Sequence, residues 1–315
     1  MKLNSRYFND VRYNSKQNTI KKTSIDSTKL INEIYWYLKL PKSLQRYLPK
    51  IVNYSDRLEN AFIEMEYIHW PTVSELFLNE ELPIQDWKST ILPKIDHILE
   101  VFSQYQATVK YEDLSSMYIT KSISRLKRFI EQNSTAYGIY KRGYLNVNGK
   151  LMQCPMRYLE ENSELLSFII NQAQPSIIHG DLCFSNIFFN TSTKEVKLID
   201  PRGSFGRAGI HGDQNYDIAK IKHSLSGYDH IISDKFQLII RGMGLDFQIN
   251  QSPYHQKINE IWTSYYHNHQ SINVIEALLF LSMIPLHKGN YKKQLTMYAL
   301  GVSLLDKSDA ERRSI

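Results

Sequence analysis

The sequence predicts an α+β protein in two unequal parts: a small strand-rich amino-terminal part and a larger, mainly helical remainder. Three observations predict it. Short runs around Asn18–Thr23 and Ala61–Ile68 have the composition of strands, whereas from Asp86 onward apolar residues mostly recur at helical spacing. Between Ile177 and Gly203 a pair of apolar runs flanks the polar segment Asn190-Thr191-Ser192-Thr193, the pattern of a β-hairpin set among helices. The chain has 315 residues and is 42% apolar, which is ample core for two lobes.

In chain order, the first strand carries paired lysines, Lys21 and Lys22. Asp26-Ser27-Thr28 can cap a helix over Lys29 to Leu38, with Leu30, Ile34 and Tyr37 on one face and Glu33 also on it. The Ala61–Ile68 strand ends at His69-Trp70-Pro71, and a helix begins at Thr72. We place the division there, with residues 1–68 as one lobe and 69–315 as the other. Trp87, Ile91, Ile95, Leu99 and Phe102 mark a helix from Asp86 to about Thr108; two more span Met117–Gln132 and Met156–Gln172. Between these two, Tyr137–Lys150 contains three glycines and reads as a loop, a candidate insertion facing a substrate. After the hairpin, helices are expected over Asp217–Ser226, Asp229–Gly242, Ser252–His269, Val274–Met283 and Lys292–Leu305, with a disordered tail from Asp306 to Ile315.

Composition narrows the class. The net charge of +6 comes from dispersed Lys and Arg, so no nucleic-acid footprint is expected. A basic chain fits an anionic small molecule better than a polycation. The two cysteines, Cys154 and Cys183, make neither a disulfide framework nor a metal site and suit a reducing compartment. The amino terminus, MKLNSRYFND, lacks the apolar core of a signal peptide, and the longest apolar run, Ala277 to Leu286, is too short for a membrane span. The expected location is the cytoplasm.

The chemistry concentrates in IIHGDLCFSNIFFNTSTKEVKLIDPRG, residues 177–203. Asp181 is followed five residues later by Asn186, and Asp200 ends the run Val196-Lys197-Leu198-Ile199. Phosphoryl transfer from ATP needs such a set. One carboxylate orients and accepts the proton of the attacking hydroxyl, while an amide oxygen and a second carboxylate hold Mg²⁺ on the phosphates. Because Mg²⁺ keeps several waters, two protein oxygens suffice. On this reading Asp181 is the base, and Asn186 and Asp200 are the metal ligands.

The segment resembles the phosphotransferase family of aminoglycoside phosphotransferases and choline kinases, which shares the protein-kinase fold. The family's first motif, His-Gly-Asp with Asn five residues after the Asp, is matched by His179, Gly180, Asp181 and Asn186; its Ile-Asp is matched by Ile199 and Asp200. Gly180 and Pro201-Arg202 stand where protein kinases carry other residues. The resemblance implies a two-lobed kinase-like fold, ATP and Mg²⁺ as cofactors, and a small-molecule hydroxyl as acceptor. At family level that acceptor is a sugar, an amino-alcohol or a related precursor of surface polysaccharide.

It also implies a strand lysine that grips the phosphates and is oriented by a helix glutamate. Alternation favours Lys21 with Glu33, since choosing Lys22 would turn Lys21 into the lobe's core; Lys22 is the alternative. Adenine would hang from backbone groups around Glu66 to Ile68. The family's Asp-Leu-Ala segment is matched by Asp217-Ile218-Ala219, which implies that Asp217 braces the catalytic loop. His179 is expected to brace that loop as well; Arg202 is expected to make a surface ion pair, with bidentate contact to a phosphate as its alternative. Choline as acceptor would need an aromatic or acidic cage, for which Trp262, Tyr265 and Tyr266 are available. The stretch from Tyr7 to Gln17 departs from a glycine-rich phosphate loop, having no glycine. A catalytically silent nucleotide- or partner-binding module stays open as the alternative function, and the acceptor, the preferred nucleotide and the oligomeric state are undetermined by sequence.

Overall fold

The computed structural model describes residues 9–266 and 270–313. Strands β1 (Asn9–Asn14) and β2 (Thr19–Ser24) form a hairpin. Its turn is held by local polar contacts: Asn14 Nδ2 donates to Gln17 (2.8 Å), and Asn18 sits at φ 51°, a conformation asparagine tolerates. Helix α1 (Ser27–Lys39) follows, with the Asp26 carboxylate accepting the Lys29 N–H at its start. Strands β3 (Ile51–Ser55) and β4 (Phe62–Glu66) complete an antiparallel sheet in the order β1-β2-β4-β3. Leu30, Ile34, Trp36 and Tyr37 of α1 are buried, and the helix packs on β2 and β4. The Trp36 indole N–H donates to the Ile178 carbonyl (2.7 Å), which fastens the helix to the segment that carries Asp181.

The remainder is mainly helical. Helix α2 (Val73–Leu78) opens on a capping box between Thr72 and Glu75. Helix α3 (Ile84–Asp86) runs through a wide turn at Trp87–Ile91 into α4 (Leu92–Ser103), and α5 (Tyr111–Ser115) runs likewise through Ser116–Thr120 into α6 (Lys121–Gln132).

The expected loop at Tyr137–Lys150 is regular structure: the end of α7 (Ser134–Arg142), then β5 (Tyr144–Val147) and β6 (Lys150–Gln153). Its glycines are structural. Gly143 ends α7 at φ 85°, and Asn148-Gly149, at φ 49° and 82°, make the two-residue turn such hairpins prefer. The expected Met156–Gln172 helix is two helices, α8 (Pro155–Glu161) and α9 (Glu164–Asn171).

Next come β7 (Pro175–Ile177), the hairpin β8 (Ile187–Phe189) and β9 (Val196–Leu198), the small hairpin β10 (Ser204–Phe205) and β11 (Arg207–Ala208), and β12 (His211–Asp213), which pairs with β7. Helix α10 (Gln214–His223) continues through Ser224–Tyr228 into α11 (Asp229–Ile232). The expected helix to Gly242 stops there. Phe236–Arg241 is β13, and β14 (Gly244–Ile249) folds back on it and pairs in parallel with β5, giving the sheet β13-β14-β5-β6. A short apolar run suits either state, and here pairing with β14, itself anchored on β5, decides.

Helices α12 (Pro253–Tyr265), α13 (Gln270–Met283) and α14 (Tyr291–Arg313) close the chain. Helix α14 runs well past Leu305 through the expected tail, where Asp306 pairs with Lys150 and Asp309 accepts from Tyr158. The stretch Gln270–His287 has the length and hydropathy of a membrane-crossing helix, more than the Ala277–Leu286 run suggested. It is nevertheless 72% buried, packed against α14, α10 and α6. Residues 267–269 of the expected Ser252–His269 helix lie outside the described residues, as do the first eight and last two of the chain.

Candidate active site

The site is built on the β8–β9 hairpin and the loop before it. Asn190 Oδ1 accepts the Ser192 and Thr193 N–H groups (2.9 and 3.0 Å), closing the predicted turn. Asn186 precedes β8 and donates its amide nitrogen to the Asp181 carbonyl (2.8 Å), which leaves Oδ1 as the group available to a cation. The Asn186 carbonyl accepts the Ile199 N–H (3.0 Å), bringing Asp200 alongside. Asp200 lies in the left-handed region at φ 57°, a strained conformation for a non-glycine residue, and its N–H donates to the Tyr37 hydroxyl (3.2 Å). Gly203 allows the following turn to press on α1; a Cβ there would fall 2.0 Å from the Asn32 carbonyl oxygen.

The loop carrying Asp181 is braced from behind. Asp217 accepts the His179 N–H (2.6 Å) and the Gly180 N–H (2.8 Å), the supporting role the sequence assigned it. Burial pushes its carboxyl up to about 7 against those bonds. His179 is fully buried, and burial lowers it to about 4, so it is a neutral ring whose Nδ1 accepts the Asp181 N–H (3.3 Å). Burial, then the nearby Asp181 charge, pushes the Cys183 thiol up to about 12, so it stays protonated and un-nucleophilic.

The strand lysine is a correction. Lys22, not Lys21, reaches Glu33 (2.7 Å) and Asp200 (2.8 Å), and it is 5% exposed. Burial opposes its charge, but Asp200 and Glu33 outweigh it and its pKa is raised. Burial in turn drives Glu33 up to about 7 against the pull of Lys22. The alternation argument failed because Lys21 does not enter a core. It projects from the outer face of the sheet, exposed, with its ammonium 3.9 Å from the centre of the Phe62 ring.

Glu66 and Ile68 lie where β4 leaves the sheet. The Glu66 carboxylate accepts the Lys50 N–H (2.9 Å), so its side chain is committed. The Tyr67 N–H donates to the Asn18 carbonyl (3.0 Å), and the Ile68 N–H has no hydrogen-bond partner among the described residues. The chain then runs along the hairpin, with Thr72 bridged to Phe188. The aromatic residues Trp262 and Tyr266 are placed elsewhere. They line a cavity of about 380 Å³ with Ile218 and Lys222, which lie on the face of α10 turned away from Lys220.

Three cationic residues near Asp181 escaped or outran the sequence reading. Lys220, 1% exposed on α10, lies 2.7 Å from Asp181 Oδ1. Burial opposes its charge, and Asp181 together with Cys183, Tyr216 and Tyr228 more than compensates. Its only sequence signal is its place three residues after Asp217, one helical turn along. Arg202 makes no surface ion pair among the described residues; its side chain lies over Gly180, where a Cβ would meet Arg202 Cβ at 2.8 Å. Lys121 opens α6 and donates to the Tyr216 hydroxyl (3.3 Å).

Neither a known family model nor any curated protein matches this chain. Solved structures do. A Plasmodium vivax ethanolamine kinase aligns with 98% of this chain and 81% of its own at a TM-score of 0.53 and 13% identity. A choline kinase from Streptococcus pneumoniae aligns with 96% and 91% at 0.54 and 14%. An aminoglycoside phosphotransferase in a ternary complex with ADP and hygromycin B aligns with 98% and 94% at 0.56 and 10%. The chain therefore has the protein-kinase-like fold of the small-molecule phosphotransferases, as the residues around Asp181 implied.

Proposed function

We propose that this chain is an ATP- and Mg²⁺-dependent phosphotransferase that moves the γ-phosphate to a hydroxyl group of a small molecule. The observation that carries the reading is one unbroken series of contacts. It runs from Glu33 through Lys22 to Asp200, across the hairpin to Asn186, and on to Asp181 and Lys220. A structural ion pair alone gives no reason to add a strained carboxylate and an amide oxygen to that series. An ADP complex and kinases of ethanolamine and choline among the similar structures support it.

In this mechanism Lys22, aimed by Glu33, holds phosphate oxygens, and the backbone between Glu66 and Ile68 holds the adenine, with the Ile68 N–H as donor. Asn186 and Asp200 present two hard oxygens, the donor type Mg²⁺ prefers. Bound there, Mg²⁺ supplies charge neutralisation on the phosphates. Asp181 accepts the proton of the attacking hydroxyl, and Lys220 holds that carboxylate in place beside the path of the phosphoryl group.

The test is ADP release from ATP and Mg²⁺ across a panel of sugars, sugar phosphates and amino-alcohols. Asp181→Ala should lower turnover by about 10²–10⁴-fold while nucleotide-dependent stabilisation persists. Asp200→Ala should abolish the Mg²⁺-dependent part of nucleotide binding. Near-normal turnover in the first variant, or unchanged metal-dependent affinity in the second, removes that residue from its role.

A further inference from the structure

The cations around Asp181 outnumber the carboxylates that could balance them. Lys220 is paired with Asp181 itself. The other nearby acids are committed elsewhere. Asp217 holds two backbone N–H groups; Asp213 takes the Tyr118 hydroxyl and the Gln174 and Asn215 N–H groups; Asp113 takes Arg207 (2.6 Å). Lys121 and Arg202 therefore have no carboxylate partner among the described residues.

Their placement is built rather than incidental. The Arg207–Asp113 pair, with Gly206 pressed on Asp113, ties the β10–β11 hairpin to α5, just ahead of Lys121. Phe205 packs between Tyr118 (ring centres 5.8 Å) and Tyr216 (5.7 Å), and Lys121 lies over the Tyr216 ring at 5.0 Å. Tyr216 and Lys220 are one turn apart on α10, which places Lys121 beside the Lys220–Asp181 pair. Arg202 approaches the same loop from the other end, its N–H donating to the His179 carbonyl (2.9 Å). Burial, followed by the charges of Arg202, Arg125 and Lys220, pushes Lys121 well below the ordinary lysine range. A cation in that position is destabilised until an anion arrives.

We infer that Lys121 and Arg202 form an acceptor subsite, so that the hydroxyl phosphorylated by this chain belongs to a small molecule already carrying a phosphate or carboxylate. Arginine offers a planar fork and lysine a point charge, and both chemistries suit either anion. Both residues come from the α6 and Arg202 side of Asp181 rather than from the Lys22 sheet, so the anion they meet is the acceptor's. The inference rests on the proposed phosphotransferase reading and is tested separately from it.

The experiment compares matched sets of acceptors, each a neutral alcohol, its phosphate ester and its carboxylate analogue, in wild-type protein and in Lys121→Met. Methionine keeps the apolar stem against Met117 and Tyr216 without the charge, so the variant should fold and melt at a higher temperature. Wild type should favour an anionic member by at least about tenfold in kcat/KM. Lys121→Met should raise the KM for that member about tenfold or more while leaving the KM for ATP unchanged; each tenfold is about 1.4 kcal/mol. The relative rates with phosphate and carboxylate identify the anion. Preference for the neutral or cationic member, or a Lys121→Met effect on ATP alone, overturns the inference while leaving the kinase reading standing.

A second measurement covers a panel without turnover. With ADP and Mg²⁺ present, inorganic phosphate should raise the melting temperature of wild type and of Lys22→Met but not of Lys121→Met. An equal rise in all three, or none, overturns the subsite. Loss of every nucleotide effect in wild type would instead count against the kinase reading.

Discussion

Lys22, buried, and Lys121, half-buried, lie on two sides of the loop that carries Asp181, and they meet the cost of a partly desolvated charge in opposite ways. Lys22 is clasped by two carboxylates at 2.7 and 2.8 Å, and its charge is spent within the protein. Among the described residues Lys121 donates to a hydroxyl and a thioether, and around it the charges of Arg202, Arg125 and Lys220 prevail over that of Asp181. Isolated charges in poor solvent are expensive, whereas paired ones cost little and add little. The difference teaches that the first lysine is stabilised before any ligand binds, while the second is held at a loss that an anion would relieve.

The largest expected effect comes from breaking the clasped side. Lys22→Met should lower kcat/KM by about 10²–10³-fold through lost phosphate stabilisation, and Lys21→Met should stay within about twofold. Steady-state kinetics on the two variants decides between the adjacent lysines, and equal losses would return the role to both. Intermediate in size is Lys220→Met, which takes the cation away from Asp181. Turnover should fall about 10–100-fold. The pH below which activity is lost should move upward, because a carboxylate deprived of a neighbouring cation takes up its proton more readily. An unmoved pH profile would reduce Lys220 to a packing residue.

The smallest effect contrasts the site with the helical core, where buried polarity serves no ligand. His223 is fully buried between Tyr228 and Phe280 (ring centres 4.3 and 4.1 Å), and neither ring nitrogen finds a partner among the described residues. Burial, and next the Lys220 charge, hold its pKa well below 6.5. A depressed histidine contributes stability that is present above pH 6.5 and lost as the pH falls below it. His223→Phe should stabilise the fold by about 1 kcal/mol and flatten that acid dependence relative to wild type. Thermal melts between pH 7 and pH 5 check both the sign and the window.

The catalytic segment was legible because its chemistry is local. Asp181, Asn186 and Asp200 flank one hairpin whose turn is written in Asn190–Thr193, and the Asp26 cap and the Thr72 helix start are equally local signals. The Asn148-Gly149 turn was local too, but three glycines in one stretch made it look like a loop. Phe236–Arg241 was not legible, since an uncapped apolar run becomes a strand only when β14 folds back to pair with it. Helix α14 likewise extends through Arg313 because Lys150 and Tyr158 meet its polar residues from distant elements.

The sequence by itself pointed to Asp181 as the proposed base and to Asn186 and Asp200 as the proposed oxygen ligands, and it determined the hairpin beside them and the two-part α+β organisation. These depend on residue type and short spacing, which a linear chain displays directly. Only the tertiary structure decided that Lys22 rather than Lys21 meets Glu33, because the choice depends on which face of β2 is covered by α1 and Asp200. It alone set Lys220 against Asp181, brought Lys121 to Tyr216 on the same helix, and laid Arg202 over Gly180. A charge is given its meaning by what surrounds it, and those surroundings come from residues far away along the chain.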